Sequence, residues 1–102
     1  RRQLALALVA CAHGAGTDWL NRVEGALARH GHDAALVAAA GAVFSERQLW
    51  GKARRPLEQT AGALELPVQV RRDALRRLAA LAREQGDEAL AARHEQRAAA
   101  MD

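Results

Sequence analysis

The chain has 102 residues, which fits one small domain or one piece of a longer array. Half of it is hydrophobic but only 3% is aromatic, with alanine prevailing and tyrosine absent, which excludes a globule built on bulky side chains and argues against sheet. The net charge of +3 is modest, and a single cysteine, Cys11, excludes an internal disulfide framework or a cysteine metal cage.

Apolar residues recur at spacings of three and four, which predicts six helical segments. The first covers residues 2–13 and stops at Gly14-Ala15-Gly16. Its opening imitates an export signal: Arg1-Arg2, an apolar run, then Leu8-Val9-Ala10-Cys11. The run is short, and Leu4, Ala7, Leu8 and Cys11 are better read as one buried helix face. The chain lacks an initiator methionine and enters directly on this pattern, so it reads as part of a larger protein. No stretch approaches the roughly 20 apolar residues of a membrane span.

Thr17 or Asp18 is expected to cap the second helix, with Trp19, Leu20, Val23 and Leu27 on one side. Arg29 and His30 suit its negative end, and Gly31 is expected to take a left-handed C-cap. Asp33 then caps a third helix through Phe44. A fourth is expected to begin within 46–49 and to run to Leu64. Pro56 lies inside it and predicts a bend near residues 52–56 or a late start. Pro67 interrupts the pattern, a fifth helix is expected over 70–85, Gly86-Asp87 turns the chain, and a sixth is expected over 88–100.

Two of these pairs repeat each other. One copy has Val37, Ala40, Gly41 and Phe44, then Ala53 and Leu57 around the run 48–53; the second has Leu75, Leu78, Ala79 and Ala82, then Gly86 and Ala91. Gly41 to Ala79 and Ala53 to Ala91 are both steps of 38 residues. The spacing resembles the tetratricopeptide repeat, in which paired helices carry small residues at their closest approach. The expected fold is therefore all-α, a right-handed superhelical stack of antiparallel helix pairs. It forms one domain over 1–102, with repeats near 1–32, 33–67 and 68–102. In that geometry the first helix of each repeat lines a groove. The positions concerned are Ala35, Ala38, Ala42, Ser45 and Glu46, then Asp73, Arg76, Ala80, Arg83 and Glu84. A floor of small residues with Arg76 and Arg83 at one end suits an acidic segment of a partner, because guanidinium pairs bidentately with carboxylate. Nucleic acid is not expected, since no aromatic residue interleaves with the arginines and acids stand nearby.

Other constellations have simpler explanations. His30-Gly31-His32-Asp33 looks like a metal site but is accounted for as a helix end and the next N-cap. His94-Glu95-Gln96-Arg97-Ala98 starts like a zinc-protease motif, yet Ala98 replaces the second histidine. Cys11 and His13 are two apart on a helix and point to different sides. The chain is expected to be neither an enzyme nor the holder of a cofactor.

Gln48-Leu49-Trp50-Gly51-Lys52-Ala53-Arg54 with Leu57-Glu58, and the stretch from Ala79 to Ala89 with Ala92-Arg93-His94, carry a resemblance. They are similar to the C-terminal repeat region of the HemY-type protohaem IX biogenesis proteins of proteobacteria. The chain departs from that pattern at Pro56 and Glu95, where aromatics are usual, and its linker 65–72 is longer. The resemblance implies an upstream anchor in the bacterial inner membrane and association with late haem-pathway enzymes. It supplies no catalytic residue, and Trp50 is expected to pack between repeats. Two alternatives accompany it: a general scaffold in another envelope assembly pathway, and direct haem or porphyrin binding through His13, His30, His32 or His94.

Overall fold

A computed structural model describes residues 18–101. The first predicted helix, with Cys11 and His13, lies outside the described residues. Those described form five helices and no strand: α1 (Asp18–His30), α2 (Ala34–Glu46), α3 (Trp50–Ala61), α4 (Val68–Glu84) and α5 (Glu88–Ala100). Neighbours in sequence are neighbours in space. Helix α2 lies against α3, α4 against α5 and α3 against α4, while α2 also touches α1 and α4. This is an all-helical stack of adjacent pairs, consistent with a tetratricopeptide-like arrangement.

Helix α1 buries Trp19, Val23 and Ala26 at spacings of four and three. Asp33 is the N-cap of α2; its carboxylate accepts from Ala35 N at 3.1 Å and Leu36 N at 3.3 Å. Such a cap contributes about 1 kcal/mol. Helix α2 is apolar nearly all round and buries Leu36, Val37, Ala40, Gly41, Val43, Phe44 and Ser45, as a helix with partners on several sides must. Phe44 meets Trp19 of α1 with ring centroids 6.5 Å apart, and Arg47 covers the Trp19 ring at 5.0 Å.

Two helix boundaries differ from the sequence reading around residues 46–49. The fourth predicted helix does not begin there, because α2 runs on to Glu46 and a turn follows. Gln48 adopts a left-handed φ of 60°; Gln48 N donates to Ser45 O and Leu49 N to Phe44 O. These are the paired bonds of a Schellman motif, which satisfy carbonyls that the helix leaves open. Helix α3 therefore starts late, at Trp50, and continues through the buried Pro56, with Thr60 Oγ1 donating to Pro56 O at 2.8 Å. It ends at Ala61 rather than Leu64, which stands 81% exposed in the following turn.

Pro67 is the residue before α4, and the helix begins at once with Val68, two residues earlier than expected. An extended proline is compatible with the cap position because only the residues inside the helix must donate along its axis. Gly31 is not left-handed either: among described residues a positive φ occurs only at Gln48 and Gly86. Instead Asp33 N returns to His30 O at 3.0 Å and closes the α1–α2 turn.

The first helices of the two pairs end in the same way. Gly86, at φ 78°, ends α4 with the same bonds, Gly86 N to Arg83 O and Asp87 N to Ala82 O. Small residues set the close approach within each pair. A Cβ on Gly41 would stand 3.1 Å from Leu57 Cδ2 and 3.3 Å from Leu57 N. The second pair meets through Ala79, Ala82 and Ala91, with Leu90 beside them. The larger core gathers Trp19, Val23, Leu36, Phe44, Leu57 and Leu75, with Trp50 packed half-buried at its margin. Antiparallel pairing brings the start of α4 to the end of α5, where Arg72, in the second turn of α4, donates to Met101 O at 2.8 Å and Ala98 O at 3.4 Å.

Candidate protein-interaction surface

Helices α2 and α4 stand side by side as the first members of successive pairs. Ala35, Ala38 and Ala42 are half-buried on α2, and on α4 Asp73, Arg76, Ala80, Arg83 and Glu84 are exposed. The structure joins four of the expected residues, Ala42, Ser45, Glu46 and Asp73, through Arg77, which the repeat spacing does not place in the groove. Arg77 reaches from α4 across to α2. Its guanidinium donates to Ser45 Oγ at 2.6 Å and Ala42 O at 3.2 Å, and lies 3.5 Å from Glu46 Oε1. Within α4 it pairs with Asp73 Oδ2 at 2.6 Å, four residues back. Ser45 is buried and donates in turn to Ala42 O at 2.9 Å. Ser45 therefore serves the joint between pairs rather than offering its hydroxyl to a partner.

Arg83 is directed to its own pair. It lies 2.7 Å from Glu95 Oε2 and 3.7 Å from Glu88 Oε1, both on α5. The hydrogen bond and charge of Glu95 raise the Arg83 pKa, and Arg83 reciprocally lowers that of Glu95. Arg76 is exposed and forms no direct ion pair among the described residues, although its charge also favours ionised Glu95. The alanine-floored surface thus has two internally paired arginines and one, Arg76, whose guanidinium faces water. Arg76 and Arg77 are one residue, about 100°, apart around the helix; the repeat spacing puts Arg76 on the groove side but carries no signal that Arg77 crosses to Ser45.

The histidines are dispersed. His30 and His32 are exposed around the α1–α2 turn, while His94 is half-buried on α5. Its Nδ1 is shielded from water without a hydrogen-bond partner. Burial pushes its pKa down, Arg97 and Arg93 add to this, and Glu58 opposes it. Asp33, the fourth residue of the His30 cluster, is occupied as a helix cap. Among the described residues no group of three His, Cys, Asp or Glu is placed to hold a metal ion. No described helix is long and apolar enough to cross a membrane.

The fold defines a class, an all-helical stack of repeated pairs. Compared with protein-family models, curated proteins and solved structures, the chain matches none.

Proposed function

We propose that this chain is a non-catalytic, tetratricopeptide-type segment that binds another protein across the α2–α4 surface. The observation that carries the reading is the duplicated pair, with Gly41 against Leu57 in one copy and Ala79 beside Ala91 in the other. A stack of this kind presents a continuous face built from successive first helices. Its floor of small residues leaves room for an incoming chain, and Arg76 supplies a guanidinium for a carboxylate. The Trp50-Gly51-Lys52 stretch and its flanks support a finer reading. In it, the parent is a membrane-anchored factor that holds late haem-pathway enzymes near the bacterial inner membrane.

The test is capture of late haem-pathway enzymes by the intact parent protein, with Arg76→Glu as the variant. Retention that falls about tenfold in the variant, as for a charge pair at a binding surface, supports the reading. An identical set of partners at identical yield removes the α2–α4 surface from the account. Capture of envelope-assembly proteins with no haem-pathway enzyme leaves the interaction role and removes the pathway.

A further inference from the structure

A second concavity lies among α1, α2 and α3. One cleft of about 470 Å³ is lined by Leu27, Val37, Phe44 and Pro56, with Lys52 and Arg55 at its rim. Across the shared residues Gly31, Val37 and Gln59 it continues into a cleft of about 400 Å³ bordered by Glu58 and Glu65. The combined trough exists because little bulk fills it. Ala28 and Gly31 are small, and Pro56 occupies the position where the repeat pattern calls for a large side chain.

Charge is sorted along this trough. Glu24 is neutralised by Lys52 at 2.9 Å. Arg55 is left exposed and without an ion pair among the described residues. At the other end Glu58 and Glu65 are exposed and likewise form no salt bridge with a described residue. The trough thus has an apolar zone at Leu27, Val37 and Pro56, a cationic zone at Arg55 in the same cleft, and an anionic zone at Glu58 and Glu65 in the adjoining one. An anionic membrane or nucleic acid would meet repulsion from Glu58 and Glu65. A short peptide can satisfy all three zones, with the charges fixing its direction.

We infer that this trough docks a peptide segment of a protein partner in one orientation. A bulky apolar side chain sits over Val37 and Pro56, a carboxylate meets Arg55, and a basic residue meets Glu58 and Glu65. The site is separate from the α2–α4 surface and does not depend on it.

The experiment is a titration of the full 102-residue chain, isotope-labelled, with a blocked heptapeptide of two aspartates, a Leu-Phe-Leu centre and two lysines. Amide shifts are expected to centre on Leu27, Val37, Arg55 and Gln59. Arg55→Glu should weaken binding about tenfold, the scale of one lost charge pair. Pro56→Phe, which fills the trough, should abolish it, while Arg76→Glu should bind as the parent does. Sedimentation at the same concentrations should report a monomer. Absent shifts at these residues, unchanged affinity in Arg55→Glu, or shifts centred on Arg76 would overturn the inference. Self-association blocked by Pro56→Phe would overturn it too, because a second copy would then be the occupant.

Discussion

Gln48 and Gly86 occupy the same left-handed position, 38 residues apart, at the ends of α2 and α4. Each donates its N–H to the carbonyl three residues back, and each is followed by an N–H that reaches five residues back. The pairs that they terminate and begin keep the same step: α2 and α4 end at Glu46 and Glu84, and α3 and α5 start at Trp50 and Glu88. The repeat is therefore conformational as well as compositional.

A left-handed conformation costs a residue with a Cβ about 1 kcal/mol, and glycine escapes that cost. Gln48→Gly is expected to stabilise the fold by about 1 kcal/mol, and Gly86→Ala to destabilise it by about the same. Urea unfolding followed by circular dichroism measures both. A destabilised Gln48→Gly would mean that the glutamine side chain contributes to the turn.

Glycine within a helix normally costs up to about 1 kcal/mol relative to alanine. Gly51 has open space around a built Cβ, so Gly51→Ala should recover part of that, about 0.5 kcal/mol in a first turn. Gly41→Ala should recover none and lose stability, because the new methyl meets Leu57 N at 3.3 Å and backbone cannot step aside as a side-chain tip can. Equal gains at the two sites would show that α2 and α3 can separate freely.

Arg77 ties α4 to buried Ser45 and to the Ala42 carbonyl of α2. Its side chain is only 26% exposed, so its bonds are less screened than those of Arg83. Arg77→Ala is expected to cost about 1–2 kcal/mol, the range for charge-assisted bonds to a part-buried acceptor. Arg76→Ala should stay within about 0.5 kcal/mol. Reversal of that order in denaturation experiments would contradict the joint described here.

His94 has a pKa held below its ordinary value of 6.5, chiefly by burial. The unfolded chain then binds a proton that the folded chain resists, so stability falls as pH drops through 6.5 toward the folded pKa. Glu95 adds a second loss below its ordinary 4.5, where protonation removes its bond to Arg83. Melting temperature measured from pH 8 to pH 3 should fall in these two windows. His94→Gln should flatten only the upper one, and a curve unchanged by that substitution would assign the upper loss elsewhere.

Local chemistry determined much of this protein from the sequence alone. Asp33 could be assigned as a cap, Gly86-Asp87 as a turn, and Gly41 with Ala79 as points of close approach, because each depends on a few neighbouring residues or on a fixed spacing. Helix pairing followed from the 38-residue step. Tertiary structure decided the rest. Gln48 takes a glycine's conformation because Leu49 and Trp50 are both held by packing on the core while α2 has to stop before them. Arg77 rather than Arg76 crosses to Ser45 because the placement of α2 beside α4 selects one side of that helix. The trough at Pro56 likewise arises from three helices brought together. Periodicity orients a side chain on its own helix; only the neighbour's position settles what that side chain meets.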